Sequence, residues 1–259
     1  MGKRTLMENT NCPNCNHIIK ENYCPRCGEM KFCRITMKDV VSDFFSNLVN
    51  VEGPVLNTIK DLTLRPGAMI RDYLNGQRKK YYKPFQYYIL AATLFFLFFY
   101  LWGNDMMEMF SDLGAEYNNM ATTEQMNQTQ QKFTEFQNEN MRLFTFLQVP
   151  IYALLIWLFF SKKSGYSFTE SMVVSLYIEA QTLVISIISS LSVFIHPILP
   201  MIIPGVFMLL YFPWVFKQLY QEKTGVTIFK SLTIIVCGFI LFGFLMSVIS
   251  LVWYRMISN

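Results

Sequence analysis

Long apolar runs dominate the last two thirds of the chain and predict an all-α polytopic membrane domain over residues 85–259. An apolar run of about 18 residues forms a helix roughly 27 Å long, enough to cross the hydrocarbon core of a bilayer. Prolines in the fourth run leave open whether it crosses fully or is kinked or re-entrant. The predicted spans are residues 85–102, 143–160, 171–195, 198–216 and 229–254.

Shorter helical patterns precede the first span, in a predicted juxtamembrane region of residues 35–84. Residues 36–50 alternate apolar and charged positions at helical spacing, which favours an amphipathic helix in the membrane interface or packed on its neighbours. Two further short helices are predicted at about 55–64 and 68–74, separated by the Arg-Pro-Gly break. None of these segments is long or apolar enough to span.

Composition and charge support the membrane assignment and predict its orientation. The 259 residues are 53% hydrophobic with a mean hydropathy of +0.28, too apolar for an ordinary soluble domain. Nineteen of the 22 Lys and Arg residues fall on one side of the predicted membrane, and the helical loop 103–142 opposite carries seven acids. The positive-inside rule therefore predicts a cytoplasmic N-terminus, an extracytoplasmic loop and an extracytoplasmic C-terminus.

Four cysteines near the N-terminus form two C-x-x-C pairs. They are Cys12, Cys15, Cys24 and Cys27, in CPNCNHIIKENYCPRCG. Two such turns facing each other supply four thiolates in the tetrahedral arrangement that zinc prefers, and Gly28 can adopt the positive φ that turns N–H groups toward sulfur. We predict a cytoplasmic zinc ribbon over residues 1–34, with an iron site or a redox pair as the alternative.

Polar residues form a stripe along the third predicted span. They are Ser171, Ser175, Glu179, Thr182, Ser186 and Ser189, at steps of three or four residues. An intramembrane carboxylate such as Glu179 is costly, so it is a candidate proton, ion or substrate site together with Thr182 and Ser186. The alternative is that the stripe only packs helices together, with Glu179 neutral or bonded to Tyr177, Gln181 or another helix.

A basic run lies just before the first span. It consists of Arg78, Lys79, Lys80 and Lys83, with Tyr81 and Tyr82 between them. Basic residues this close to a span gain about 1 kcal/mol each against anionic lipid, and tyrosines favour the headgroup layer. We therefore predict lipid binding at the cytoplasmic face and no nucleic-acid binding.

Three motifs follow one another up to the first span: C-P-N-C with C-P-R-C-G, then T-I-K-D-L-T-L-R-P-G, then I-R-D-Y-L-N-G-Q-R-K-K-Y-Y-K-P. In these motifs the chain resembles an uncharacterised bacterial inner-membrane family, catalogued as a domain of unknown function, in which a zinc-ribbon-like head precedes a multi-pass region. The resemblance implies a bacterial inner-membrane location and brings no activity. It also implies a signature of Arg65, Pro66, Gly67, Tyr73, Leu74, Gly76, Arg78, Tyr81 and Pro84.

The sequence favours a membrane module without catalysis. No nucleophile–base pair, zinc-protease motif or nucleotide-binding loop appears in it. We expect a scaffold, assembly or regulatory protein whose zinc head binds a cytoplasmic partner or folds onto the membrane domain. An unidentified protein or a second copy of the chain is the expected partner besides lipid. A small-solute or ion permease using Glu179 is the alternative, and a lipid-modifying enzyme a weaker one.

Overall fold

The fold is described from a computed structural model. It describes residues 11–12, 14–15, 17–18, 23–28, 55–117, 140–196 and 198–258. The amphipathic helix predicted at 36–50 and residues 118–139 of the acidic loop lie outside these ranges.

Helices account for nearly all of the described chain from residue 55 onward. They are α1 (Val55–Leu64), α2 (Pro66–Leu74), α3 (Pro84–Tyr117), α4 (Met141–Ser164), α5 (Phe168–Ser190), a short 3₁₀ helix (Leu191–Phe194), α6 (Leu199–Tyr220) and α7 (Thr224–Ser258). The short helices α1 and α2 confirm the predictions for 55–64 and 68–74. Pro66 lengthens α2 at its start, because proline fits the first helical position, where no intrahelical N–H bond is lost.

Five helices are long and apolar enough to cross a membrane, as predicted. The crossing segments are Pro84–Trp102, Met141–Ser164, Phe168–Val193, Ile202–Tyr220 and Thr224–Ile249. The chain is therefore a multi-pass, all-helical membrane protein. The fourth apolar run forms one continuous helix, α6, with Pro204 and Pro213 inside it. It is not broken into a re-entrant pair, and its length suffices for a full crossing.

Four spans begin earlier in the chain than predicted, the third and the fifth by the most, and a side-chain contact explains the shift of the third. Ser167 and Glu170 form a capping box, each side chain accepting a backbone N–H of the other residue, so α5 begins at Phe168. α7 begins at Thr224, and its Lys230 lies 2.9 Å from Glu222. The capping residues at the start of α5 thus extend that helix, because each satisfies a backbone N–H of the other.

α5 is the central helix of the bundle. It packs most extensively against α3 and α4, and also against α6, α1 and α2. Inside the protein, 56% of its apolar span is buried, against 22% for α7, which packs on α4 and α6. The core around α5 is rich in aromatic side chains, including Tyr87, Tyr88, Tyr177 and Phe212, all almost fully buried. We call α1, α2 and the following segment, residues 55–83 together, the docked unit.

One end of the bundle carries most of its basic side chains, and we call it the basic end. There α4 and α6 finish, and α3, α5 and α7 begin. Its lysines beyond the docked unit are Lys162, Lys163, Lys217, Lys223 and Lys230. The docked unit packs at this end, against the C-terminal half of α6 and the N-terminal half of α5.

Candidate metal centre and docked unit

The four cysteines of the two C-x-x-C pairs converge. Their sulfur atoms all lie within 4.8 Å of one another. The Sγ–Sγ distance is 3.5 Å both for Cys12 with Cys27 and for Cys15 with Cys24. A tetrahedral ion with metal–sulfur bonds of 2.3 Å separates its sulfur ligands by about 3.8 Å. The four thiols therefore fit a single tetrahedral metal ion.

Backbone hydrogen bonds hold each pair of cysteines in a tight turn. The Cys12 N–H donates to the carbonyl of His17 at 2.7 Å, beside an antiparallel bridge between Asn11 and Ile18. In the second pair the Gly28 N–H donates to the Cys24 carbonyl at 2.8 Å. Gly28 has a φ of +68°, the left-handed conformation predicted from the sequence.

The cysteine cluster contacts the docked unit through Lys79. The Lys79 ammonium donates to the backbone carbonyl of Cys27. A Cβ placed on Gly28 would lie 2.8 Å from the same nitrogen, so glycine also makes room for the lysine. The second cysteine turn therefore rests directly on the segment that joins α2 to the first span.

Arg65, at the break between α1 and α2, is the centre of a polar network. Its guanidinium donates to the Asp61 carboxylate at 2.6 Å and to the Tyr81 hydroxyl at 3.0 Å. Tyr81 in turn donates to Asp61 at 3.0 Å, and Lys80 lies 3.5 Å from the same carboxylate. The Arg65 hydrogen bond, with a smaller contribution from Tyr81, lowers the pKa of Asp61. The network ties the end of α1 to the segment before α3.

Gly67 allows α2 to lie directly against α6. A Cβ at this position would overlap the Val215 carbonyl oxygen and come within 2.6 Å of the Leu219 nitrogen and of Gln218. The two helices also cap each other. Gln218 accepts the orphan N–H of Ala68 at 3.3 Å, and Arg71 donates to the Gln218 carbonyl in the last turn of α6 at 3.1 Å. This contact fixes the docked unit to the bundle.

Aromatic and backbone contacts attach the rest of the signature to α5. Tyr73 is buried edge-on against Tyr177, with ring centroids 5.5 Å apart. Leu74 is buried beside it, and Gly76 adopts a φ of +101° that turns the chain out of α2. Pro84 is the first residue of α3. Every signature residue that the resemblance implied thus lies in or next to one packed unit.

The basic run is divided between protein contacts and solvent. Lys79 reaches the cysteine cluster, and Lys80 lies 5.0 Å over the Tyr81 ring as well as near Asp61. The side chain of Lys80 keeps 42% exposure, so its charge can still face a headgroup. Lipid binding by Arg78, Lys79, Lys80 and Lys83 stays a prediction.

The polar stripe on α5 faces the protein interior over most of its length. Ser175 donates to the Val149 carbonyl of α4 at 2.9 Å, a direct helix–helix contact. Thr182 and Ser186 bond to carbonyls of their own helix. Glu179 is 9% exposed and forms no hydrogen bond or ion pair with any residue that the structure describes. The bonds to Tyr177 or Gln181, one of the alternatives considered from the sequence, are therefore absent from the described contacts.

Several residues that build this site were missed in the sequence. Tyr177 donates to the Tyr82 carbonyl at 2.7 Å, and Gln181 bridges Thr63 of α1, at 3.0 Å, to Tyr87 of α3. Only the Asp61–Arg65 pair carries a sequence signal, because residues four apart share a helix face. The other contacts join residues that lie far apart in the sequence, so no local pattern indicates them.

The fold and the site define a class of protein: a multi-pass helical membrane protein with a four-cysteine cluster, able to hold a metal ion, on a docked juxtamembrane unit. A family model described as a protein of unknown function, DUF3667, matches residues 52–96. The match covers the docked unit and the start of α3. No curated protein and no solved structure matches the chain.

Proposed function

We propose that the protein is a non-enzymatic assembly or regulatory module of the bacterial inner membrane, with a zinc-loaded head held at the cytoplasmic end. The main support for this proposal is the contact of Lys79 with the Cys27 carbonyl. This contact joins the four-cysteine cluster to the docked unit, which packs on α5 and α6. Loading or losing the metal would then change the surface that the basic end presents to a partner.

Thiol chemistry supports the choice of zinc, and the distribution of basic residues supports the orientation in the membrane. Four thiolates in a tetrahedral arrangement suit zinc, and thiols stay reduced in the cytoplasm. Nineteen of the 22 basic residues fall on the side of the membrane that carries the cluster, as the positive-inside rule requires for a cytoplasmic face. Anionic lipid headgroups are proposed to contact the same face through Lys80 and its basic neighbours.

Metal analysis of the purified full-length protein tests the zinc assignment. We expect about one zinc ion per chain in the wild type and nearly none in Cys24→Ser, because three thiolates bind zinc much more weakly than four. Cys237→Ser serves as the control, since this cysteine lies in α7, away from the cluster. Equal zinc in Cys24→Ser and wild type, or iron in place of zinc, would contradict the assignment.

Crosslinking in cells tests the role as an assembly module. We expect a crosslinked cytoplasmic partner, or a second copy of the chain, that is lost in Cys24→Ser and weakened in Lys79→Ala. Lys60→Ala is the matched control, because Lys60 is an exposed lysine of α1. If the protein in reconstituted vesicles conducted a solute and no partner depended on the metal, the module assignment would be wrong.

A permease is the second candidate, favoured by the burial of Glu179 without a partner among the described residues. In that case Glu179, Thr182 and Ser186 would contact the solute or ion. Flux through vesicles that contain the wild type or Glu179→Gln separates the two functions, and flux that is unchanged by Glu179→Gln removes this candidate.

A further inference from the structure

Three glutamates are buried in the part of the chain that the structure describes, and two of them have partners. Glu170 accepts the Ser167 N–H at 2.7 Å and the Ser167 hydroxyl at 3.0 Å. Glu222 receives two hydrogen bonds from Lys230, at 2.9 and 3.1 Å, and lies 3.7 Å from Lys163. Glu179 is also buried, with 9% exposure against 7% for Glu170 and 4% for Glu222, and has no such partner among the described residues.

Around Glu179 the described residues contribute only the dipoles of neutral phenol groups, and none of them places a positive charge beside its carboxyl group. The phenol groups of Tyr88 in α3 and Tyr152 in α4 are close enough to interact with its carboxyl electrostatically. The Tyr88 hydroxyl already donates to the Thr145 carbonyl at 2.8 Å. Neither tyrosine can neutralise a carboxylate.

The remaining neighbours of α5 direct their ionisable groups elsewhere. Tyr73 of α2, together with Arg78 and Tyr81 of the docked unit, faces Tyr177. Asp61 of α1 is committed to Arg65, and Tyr211 of α6 donates to the Leu62 carbonyl at 3.0 Å. The side of α5 that carries Glu179 therefore receives no cation from any helix described as packed against it.

An ionised carboxylate in this position would be largely removed from bulk solvent and would have no counter-charge among the described residues. Removing an isolated charge from water costs several kcal/mol even after the protein relaxes, whereas a neutral carboxyl group costs far less. The cost is greatest within a segment that crosses a membrane. We propose that Glu179 is a proton-binding site whose carboxyl group is protonated at neutral pH. This inference stands whether or not the protein transports a solute.

A hydrophobic carbodiimide tests the proposal on the unmodified full chain. The reagent requires a protonated carboxyl group: the proton moves to one carbodiimide nitrogen and the carboxylate oxygen bonds to the central carbon. The resulting O-acylisourea rearranges to a stable N-acylurea, without any oxidant or reductant. The protein in detergent micelles is treated with dicyclohexylcarbodiimide at pH 7, digested, and its three glutamate peptides are compared by mass spectrometry.

We expect at least about tenfold more adduct on Glu179 than on Glu170 or Glu222, and a decline as the pH is raised and the carboxyl loses its proton. Equal labelling of all three glutamates would overturn the proposal, and so would a lack of labelling on Glu179 together with the absence of its infrared band, described next. So would suppression of the Glu179 adduct by sodium but not by choline at constant pH, because that result identifies a metal-cation site.

Infrared spectroscopy gives a second measurement that does not depend on access by the reagent. The carbonyl stretch of a protonated carboxyl group should be present in the wild type at pH 7 and lost in Glu179→Gln, which keeps the shape of the side chain. Glu222→Gln is the matched control and should leave that band unchanged, because its carboxylate is paired with Lys230. A band of equal size in wild type and Glu179→Gln would show that Glu179 is ionised.

Discussion

The side of the bundle around α5 and the side formed by α7 use polar residues in different ways. On α5, Ser175, Tyr177 and Gln181 bond to three other parts of the chain: α4, the segment before α3, and α1. On α7 the hydroxyls of Ser231, Thr233 and Ser247 bond to carbonyls of their own helix, as Thr233 does to Phe229 at 2.9 Å. Both helices have long apolar spans, so hydropathy alone does not separate them.

The difference shows what makes a helix central in this protein. A hydroxyl that is satisfied within its own helix can face lipid, because it leaves no polar group unpaired. A side chain that satisfies a carbonyl on another element fixes the distance between the two elements. α5 therefore organises the docked unit and α3, whereas α7 presents large apolar side chains such as Phe229, Phe239 and Phe244 outward.

The sharpest test of this comparison exchanges glycine for alanine on each side. Gly67→Ala should destabilise the protein by about 3 kcal/mol or more, because the new methyl group overlaps the backbone of α6 and must push α2 away. Thermal unfolding in detergent measures the loss.

Gly243→Ala on α7 is the matched control for Gly67→Ala. No atom lies within 4 Å of a Cβ at this position, so the change should be neutral or stabilise by up to about 1 kcal/mol through helix propensity. Similar losses for both variants would mean that α2 is not tightly packed on α6.

A pair of tyrosines tests whether a hydroxyl contributes only when it reaches another element. Tyr177→Phe should cost about 1–3 kcal/mol, because it leaves the buried Tyr82 carbonyl without its donor. Tyr220 is stacked on Phe160 at 4.1 Å on the side nearer α7, and its buried hydroxyl has no described hydrogen-bond partner.

Tyr220→Phe should therefore be within about 0.5 kcal/mol of the wild type, or slightly more stable, because no hydrogen bond is lost. Denaturation of both variants in the same detergent gives the comparison. A larger loss for Tyr220→Phe than for Tyr177→Phe would refute the role assigned to the Tyr177 hydroxyl.

The smallest expected effect concerns the pH dependence of the Arg65 network. The folded-state pKa of Asp61 is lowered, chiefly by the Arg65 hydrogen bond, so its contribution is present above the ordinary carboxyl pKa of about 3.9. It is lost as the pH falls through the lower folded-state value. Asp61→Asn should cost about 1–2 kcal/mol at pH 7 and progressively less below about pH 4.

Asp72→Asn is the control for that pH dependence. Asp72 lies 3.7 Å from Arg65 and is more exposed, so its loss should matter less than that of Asp61. Melting temperatures from pH 7 to pH 3 supply the data. A difference between wild type and Asp61→Asn that grew as the pH fell would have the wrong sign for this network.

Patterns within one segment allowed several features to be predicted from the sequence. The five apolar runs, the helices of the docked unit, the convergence of four cysteines and the positive φ of Gly28 all follow from spacing and residue type. The capping box of Ser167 and Glu170 was missed, so the start of α5 was predicted three residues too late, although the motif spans only four residues. The bonds from Glu179 to Tyr177 or Gln181, one of the alternatives considered from the sequence, are absent from the described contacts, because both side chains turn toward the docked unit.

The sequence by itself therefore determined the membrane-length helices, the four candidate metal ligands and the concentration of basic charge, since each depends on composition or short-range spacing. Only the tertiary structure decided that Gly67 and Gln218 attach α2 to α6. Their contacts join segments that are far apart in the sequence, as in the Ala68–Gln218 bond across 150 residues. The tertiary structure likewise decided that Glu179, among three buried glutamates in the described chain, lacks a partner. Burial and pairing depend on which helices become neighbours, and no local pattern encodes that.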